Sequence, residues 1–278
     1  MSSEQFPLIS IAIPTYNHAQ YLPICIDACW FQDYPNIEIV VVNANSPDNT
    51  KEVLAQYEED VQNEQVSYAS NYNEATGEYE RTYHDRYPKQ GRTLKIINLD
   101  HDPGLSETYN MGVRESSGDF VTTIVSDDIP HPKMISSLYQ EMMAKDADFV
   151  YSDVFLVDDR GQILRQFNFP DYDPQKCLAD WYLLGNSKLW RRNLHDKAGW
   201  FDPAYPMTQD YELFFRFAAQ GAKIVHLPEV LYSVRFHGVD RKTGNHSVER
   251  EPKIFSESAD IAMRARKWLA GEAKVANQ

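Results

Sequence analysis

The chain has 278 residues, and its 27 basic and 41 acidic side chains give a formal net charge of −14. A hydrophobic fraction of 42% and a charged fraction of 24% exclude a collagen-like, low-complexity or wholly disordered chain, and the negative charge disfavours a nucleic-acid partner. The three cysteines, Cys25, Cys29 and Cys177, favour free thiols in a reducing compartment over a disulfide framework.

The amino terminus and the hydropathy of the chain predict a cytoplasmic protein. Residues 1–7 are polar and lack the basic region and apolar core of a secretory signal. No apolar run approaches the length of about 20 residues that a membrane-spanning helix needs. We therefore expect cytoplasmic localisation, and contact with the membrane periphery stays an open alternative.

Strands and helices alternate along the first half of the chain. Apolar runs at 8–13 and 37–42, rich in Ile and Val, predict strands that are buried on both faces of a sheet. Apolar residues at helical spacing predict a helix over 18–30 between them. The same patterns predict helices at 49–57, 106–116 and 132–144 and strands at 94–98, 120–125 and 149–152. This alternation predicts a mostly parallel sheet with helices on both faces.

The second half is predicted to be mixed rather than purely parallel. The sequence Asp-Asp-Arg-Gly at 158–161 is a hairpin-turn signal between two short apolar strands. These strands are predicted at 154–157 and 163–169, and they are followed by a helix at 211–219 and strands at 223–226 and 231–236.

Two segments lie outside this pattern. The stretch 62–92 is polar and rich in tyrosine, and its length predicts a mobile loop insertion, with an acceptor or oligomer surface as the alternative. The spacing of apolar residues over 254–269 predicts an amphipathic terminal helix. We expect this helix to pack on the rest of the chain or on a second subunit of a homo-oligomer, in preference to a membrane surface.

Polar loops follow three of the predicted strands at their carboxyl ends, where α/β sheets bind ligands. They begin at Thr15, Asn43 and Ser126, and the last contains the neighbouring acids Asp127 and Asp128. Two adjacent carboxylates after a buried run repel each other unless a cation or hydrogen-bond donors lie between them. Mg²⁺ or Mn²⁺ would relieve this repulsion. Taken alone, the pair is explained somewhat better by a polar turn that caps the next helix.

Four motifs occur in the order typical of family 2 glycosyltransferases of GT-A fold, and the chain resembles that family over most of its length. They are ISIAIPTYN at 9–17, GLSETYNMG at 104–112, SGDFVTTIVSDD at 117–128 and QDYELFFR at 209–216, the last preceded by AGWFD at 198–202. The resemblance implies an α/β GT-A fold with a Rossmann-like sheet over residues 1–246, followed by a helical tail at 247–278. It also implies an inverting transferase that moves a sugar from a nucleotide diphosphate donor to a hydroxyl of a glycan or other acceptor, as in polysaccharide biosynthesis.

Site residues are carried over from the family onto matching positions. Thr15 and Tyr16 match the loop that holds the nucleoside base, and Asp127 matches the carboxylate near the ribose. Asp128 matches the carboxylate that binds Mg²⁺ or Mn²⁺, a cation that would stabilise the departing diphosphate. His237 is similar to a histidine that completes the metal or diphosphate site in some members.

The resemblance places the catalytic base at Asp210, at the start of a predicted helix. There a carboxylate could remove the proton of the acceptor hydroxyl as it attacks. Trp200, just upstream, is predicted to contact the acceptor. The basic residues Arg235, Arg241 and Lys242 are predicted to form a lid over the diphosphate.

Two departures from the family leave alternatives open. Asn43 stands where members usually carry an Asp that faces the base, and an amide selects among bases less clearly, so UDP is only the first choice. Val125 replaces the first Asp of the acidic motif. Both support a rival hypothesis, a catalytically silent module that binds sugar nucleotides or glycans. A nucleotidyltransferase is disfavoured because its glycine-rich loop is missing.

Overall fold

The computed structural model describes residues 6–237 and 251–272, apart from the side chain of Tyr68. Its strands are β1 (Ile9–Thr15), β2 (Ile37–Asn43), β3 (Gln65–Asn73), β4 (Glu78–Asp85), β5 (Arg92–Asn98), β6 (Phe120–Thr123), β7 (Ile129–Pro130), β8 (Phe149–Val157), β9 (Ile163–Phe167), β10 (Ser187–Arg191) and β11 (Ile224–Arg235). Its helices are α1 (Leu22–Trp30), α2 (Thr50–Asn63), α3 (Leu105–Arg114), α4 (Met134–Lys145), α5 (Leu194–Ala198), α6 (Gln209–Ala219) and α7 (Glu251–Leu269), with a π-helical turn at Gln175–Asp180.

Within the described residues, nine strands form one sheet in the order β5-β2-β1-β6-β10-β8-β11-β7, and β9 pairs with β8. The first four strands of this order are parallel. Strand β10 then runs antiparallel to both β6 and β8, while β11 is parallel to β8. The structure thus confirms the predicted α/β fold, with a parallel first half and a mixed second half.

Helices cover both faces of the sheet because side chains alternate along each buried strand. Ile9, Ile11 and Ile13 of β1 join the core under α1, α2 and α4. Ala12 belongs to the opposite core with residues of α3, α5, α6 and α7. Helix α3 approaches β1 so closely that a Cβ at Gly112 would lie 3.0 Å from the Cβ of Ala12.

The predicted loop at 62–92 is wrong in part, because β3 and β4 form a separate two-stranded antiparallel hairpin. Every residue of β4 is exposed. A hairpin with water on both faces needs no alternation of apolar and polar residues, so the usual sequence signal of a strand is missing.

Other elements went unpredicted or differ in extent. The π-helical turn, β10 and α5 were missed, and the two strands predicted at 223–226 and 231–236 are one strand, β11. The pairing of β11 with β8 shifts register between Leu227 and Tyr232. Such bulges break the two-residue alternation of a strand, so the sequence suggested two strands.

The terminal helix α7 packs on the body of the protein, as the amphipathic pattern suggested. Ile261 and Ala265 are fully buried against the core formed by α6 and the π-helical turn. The ring of Trp268 meets Phe215 edge to face at 6.0 Å. None of the helices in the described ranges combines the length and apolarity that crossing a bilayer requires.

Candidate active site

A cleft of about 520 Å³ opens where β1 and β6 end, as the rule for parallel sheets predicts. Loop residues after β1 and β6, the start of α6 and the end of β11 all line this cleft. Asp127, Asp128 and Asp210 therefore share one cleft, although Asp210 follows Asp128 by 82 positions in the sequence.

The loops after β1 and β2 are tied together at the rim of the cleft. The backbone N–H of Asn17 donates to Ser46 Oγ at 3.0 Å, and that of Ala44 donates to the Thr15 carbonyl at 3.0 Å. Asn17 has φ of 57° and Asn45 has φ of 52°, a left-handed conformation that asparagine tolerates better than most residues. These asparagines allow the two loops to turn sharply at the sheet edge.

Asp127 and His237 are in direct hydrogen-bond contact in the lining of the cleft. Asp127 Oδ2 lies 2.7 Å from His237 Nε2 and 3.8 Å from His18 Nε2. The other ring nitrogen of His237, Nδ1, lies 2.5 Å from Asp159 Oδ1. Burial by itself raises the pKa of Asp127, but the hydrogen bond from His237 and the charges of His18 and His237 outweigh it, so the pKa is lowered. The Asp127 carboxylate is therefore held in its charged form.

Asp128 has a different environment, because protein donors fill both of its oxygens. Oδ1 accepts the backbone N–H of Arg235 at 2.8 Å, and Oδ2 accepts the Tyr232 hydroxyl at 3.0 Å and the Asn186 amide at 3.4 Å. Burial and the charge of Asp127 raise the pKa of Asp128 to about 8, against these hydrogen bonds. Oδ1 accepts one hydrogen bond and can accept another, and the metal contact predicted for Asp128 stays a prediction.

The residues at Asp127 fit a divalent cation. No group of three or more Asp, Glu, His or Cys side chains that could hold a metal occurs in the part of the chain that the structure describes. Mg²⁺ and Mn²⁺ sites, however, often use one or two protein ligands and complete their shell with substrate phosphates. A carboxylate and an imidazole meet in the cleft, and Asp159 orients that imidazole as second-sphere carboxylates do in metal sites.

Asp210 lies in the first turn of α6, where it is half-buried and lines the cleft. Its Oδ2 accepts a hydrogen bond from the Tyr182 hydroxyl at 2.9 Å, and its Oδ1 accepts the backbone N–H of Tyr211 at 2.9 Å. Burial and the charge of Asp210 raise the pKa of Tyr182, so the phenol stays protonated and donates. The carboxylate is thus fixed in orientation while it still lines the cleft.

Of the residues predicted to hold the nucleoside, two line the cleft and one does not. Thr15 and Tyr16 line the cleft; the Thr15 hydroxyl is buried with no partner among the described residues, and Tyr16 is 45% exposed at the rim. Asn43 is buried, and its amide donates to Asn98 and accepts from Ser46. Asn43 does not line the cleft, so these contacts do not favour its predicted role at the base.

Arg235 forms part of the wall of the cleft rather than part of a lid. Its side chain is buried, Nε donates to the Asp127 carbonyl at 2.9 Å, and Nη1 donates to the Asp159 carbonyl at 3.0 Å. These bonds fix the guanidinium in place. The other two residues of the predicted lid, Arg241 and Lys242, lie outside the described residues.

Trp200 does not line the cleft. Its ring stacks on His195 at 4.8 Å, and the Arg114 guanidinium lies 4.7 Å above it. Packing therefore accounts for Trp200, and the structure gives no support to the predicted acceptor contact.

Sequence reasoning missed several residues of the site. Tyr182, Asn186 and Lys188 come from the unpredicted region around β10, and Asp159 was assigned only to a hairpin turn. Strand β10, SKLWR, contains only two apolar residues, so no apolar run in the sequence pointed to Lys188.

Comparison with known proteins places the chain among glycosyltransferases. The profile described as Glycosyl transferase family 2 matches residues 10–79 and 70–201. Glycosyltransferase GlyG of Streptococcus pneumoniae is 28% identical over 270 residues, which cover 91% of this chain and 77% of that protein. An uncharacterized glycosyltransferase of Rickettsia felis is 28% identical over 256 residues, and there the chain spans only 37% of its relative.

Solved structures show the same fold at low sequence identity. The crystal structure of S. aureus TarS 1–349 in complex with UDP has a TM-score of 0.63 and 17% identity, covering 95% of this chain and 70% of that one. The mannosyltransferase PcManGT from Pyrobaculum calidifontis, in complex with GDP-Man and Mn²⁺, has a TM-score of 0.58 and 14% identity, covering 98% and 77%.

Proposed function

The chain belongs to glycosyl transferase family 2, and from that premise we propose that it transfers a sugar from a nucleotide diphosphate donor to a hydroxyl of a glycan or other acceptor. The observation that carries this proposal is the shared cleft of Asp127 and Asp210. One carboxylate is placed to hold a cation beside a diphosphate, and the other faces it from a separate element.

UDP-sugar is the first choice of donor. Structures of the same fold were solved with UDP, with UDP-GlcNAc and with GDP-Man. Thr15 and Tyr16, at the rim of the cleft, are proposed to bind the nucleoside, because the buried Thr15 hydroxyl has an unused hydrogen-bonding capacity there.

Asp127 and His237 are proposed to hold Mg²⁺ or Mn²⁺. The cation, when bound, supplies positive charge that stabilises the negative charge of the departing diphosphate. Asp159 fixes the tautomer and orientation of His237 through Nδ1. Arg235 adds a fixed positive charge to the same wall.

Asp210 is proposed as the general base of an inverting transfer. Its carboxylate would take the proton of the acceptor hydroxyl while that oxygen forms a bond to the anomeric carbon and the bond to the diphosphate breaks. The hydrogen bond from Tyr182 keeps the carboxylate aimed into the cleft. A positioned base of this kind contributes about 10²- to 10⁴-fold in rate.

The test compares Asp210→Asn with Asp196→Asn, a matched change at an exposed residue of α5. We expect Asp210→Asn to lower the rate of transfer at least about 100-fold and to leave binding of nucleotide diphosphate unchanged, because the amide keeps its shape but cannot accept the proton. Release of nucleotide diphosphate measures turnover, and calorimetry measures binding.

Unchanged turnover in Asp210→Asn would remove Asp210 as the base. A wild-type protein that binds UDP with Mn²⁺ but releases no nucleotide diphosphate from a panel of nucleotide sugars and acceptors would favour the silent binding module instead.

A further inference from the structure

Lys188 is a buried cation in the floor of the cleft. Side chains alternate along β10, so Leu189 enters one core while Lys188 and Trp190 face the side of α6. Only 4% of Lys188 is exposed, yet it lines the cleft. Burial of a lysine in this way needs compensation by charge or hydrogen bonds.

The ammonium of Lys188 can donate more hydrogen bonds than it does. Within the part of the chain that the structure describes, Nζ donates one hydrogen bond, to the Asn186 carbonyl at 3.3 Å, and it lies 5.6 Å from the ring centre of Phe214. A lysine ammonium carries three N–H groups. Burial lowers the pKa of Lys188 below its ordinary value, although the charges of Asp210 and Asp128 act in the opposite direction.

Gln209 presents an unused acceptor to the same cleft. It precedes Asp210 on α6, is 4% exposed and lines the cleft. Its Oε1 is buried without a partner among the described residues. A buried polar atom without a partner costs free energy, and a ligand that completes the bonding of Lys188 and Gln209 removes that cost.

The two residues lie where the transferred sugar has to be in the proposed reaction. The diphosphate is expected near Asp127, and the acceptor hydroxyl is expected near Asp210. The sugar connects the two; Lys188, whose charge interacts with those of Asp210 and Asp128, and Gln209, the neighbour of Asp210 in sequence, both line this cleft. An ammonium and an amide carbonyl in one cleft match sugar hydroxyls, which both accept and donate hydrogen bonds.

We propose that Lys188 and Gln209 bind the hydroxyl groups of the transferred sugar and that this subsite selects a neutral sugar over a uronate. The inference rests on the proposed function and names the substrate class of that site. A uronate is disfavoured because the charge of Lys188 already interacts with the carboxylate of Asp210. A further carboxylate beside them would add like-charge repulsion.

The test separates the sugar from the nucleotide by calorimetry with Mn²⁺. The probes are the diphosphates UDP, GDP and dTDP and the donors UDP-glucose, UDP-GlcNAc and UDP-glucuronate. The variants of the full chain are Lys188→Met, Gln209→Leu and the exposed control Lys197→Met. We expect Lys188→Met to bind UDP as the wild type does and to bind the preferred neutral UDP-sugar about tenfold more weakly. Gln209→Leu should act in the same direction, and Lys197→Met should change neither affinity.

The inference is overturned if Lys188→Met binds neutral UDP-sugars as the wild type does, or loses affinity for UDP to the same extent. Preference of the wild type for UDP-glucuronate over UDP-glucose also overturns it. A wild type that binds none of UDP, GDP and dTDP contradicts the proposed function itself, whatever the variants do. Thermal melting of each variant identifies a loss of affinity that comes only from unfolding, and Gln209→Leu then provides the independent reading.

Discussion

At the scale of single residues, the two adjacent acids of the cleft have separate tasks because their surroundings differ. Asp127 meets imidazoles, which favour its charged form. Asp128 is 3% exposed, and burial together with the charge of Asp127 raises its pKa to about 8, against the hydrogen bonds from backbone, phenol and amide donors. The different surroundings of the two adjacent acids thus favour opposite charge states, and the proposed function assigns the cation to the charged one, Asp127.

This assignment predicts different effects for Asp127→Asn and Asp128→Asn. We expect Asp127→Asn to weaken Mn²⁺-dependent binding of UDP at least about tenfold, because a ligand is lost, and Asp128→Asn to stay within about threefold of wild type. Calorimetry with and without Mn²⁺ measures both effects. Equal losses in the two variants would return the metal to Asp128.

The raised pKa of Asp128 adds a check that needs no ligand. In the metal-free protein the folded state holds a proton on Asp128 up to about pH 8, whereas the ordinary value for the unfolded chain is 3.8. The folded state therefore binds more protons in this window, and the contribution of Asp128 to stability falls as the pH rises. Urea unfolding should show Asp128→Asn gaining stability relative to wild type between about pH 4 and pH 8.

The sequence identified which acidic residues lie in the cleft but not which residues they form hydrogen bonds with. The motif placed Asp127, Asp128 and Asp210 in one site, and the structure brings them into one cleft. It could not show how Asp128 is hydrogen-bonded, since that depends on the distant residues Tyr232 and Arg235, which donate to its two oxygens. Contacts of such long range leave no local trace in a sequence.

At the scale of elements, α7 supports the start of α6. Glu257 Oε2 accepts the backbone N–H groups of Met207 and Thr208 at 3.0 and 3.1 Å and the Thr208 hydroxyl at 2.9 Å. Thr208 is the residue before the first turn of α6. A carboxylate at this point satisfies donors that a helix leaves unpaired and interacts favourably with the helix dipole. The tail helix thereby anchors the turn that carries Asp210.

We expect Glu257→Ala to lower the free energy of unfolding by about 1 to 3 kcal/mol, because buried donors lose their acceptor. Transfer should fall as well, since Asp210 begins the same turn. Urea unfolding and the transfer assay measure these effects, and Glu251→Ala, at an exposed position of α7, serves as control. Glu257→Gln, which keeps an oxygen acceptor, should be intermediate. If Glu257→Ala is destabilised but transfers sugar at the wild-type rate, helix α7 does not influence the position of Asp210.

Strands and helices could be predicted from the sequence where burial imposes a regular spacing of apolar residues. Strands β1 and β2 are buried on nearly every residue, and the apolar runs indicated them correctly. The hairpin of β3 and β4 has no buried face to impose a pattern, and β10 includes Lys188 within a buried strand, so both escaped detection. Nothing in the sequence therefore indicated that Lys188 lines the cleft.

At the scale of the whole molecule, the site and the β3–β4 hairpin lie at opposite ends of the sheet. The cleft forms at the carboxyl ends of β1 and β6. The hairpin joins the end of α2 to the beginning of β5, where Arg92 pairs with Ile37, the first residue of β2. At its base the Arg86 guanidinium is bonded to Asp27 at 2.9 Å and to Glu64 at 3.0 Å.

Shortening the hairpin should therefore leave donor binding intact. Replacing residues 67–83 by Asn-Gly joins Val66 to His84, which are partners in the hairpin register, through a favoured two-residue turn. We expect the free energy of unfolding to change by less than about 1 kcal/mol, because the removed residues are largely exposed, and UDP affinity to be unchanged. Loss of UDP binding would contradict this separation of hairpin and cleft. Loss of transfer with UDP binding intact would instead indicate that the hairpin contacts the acceptor. Donor and acceptor would then be recognised at opposite ends of the sheet.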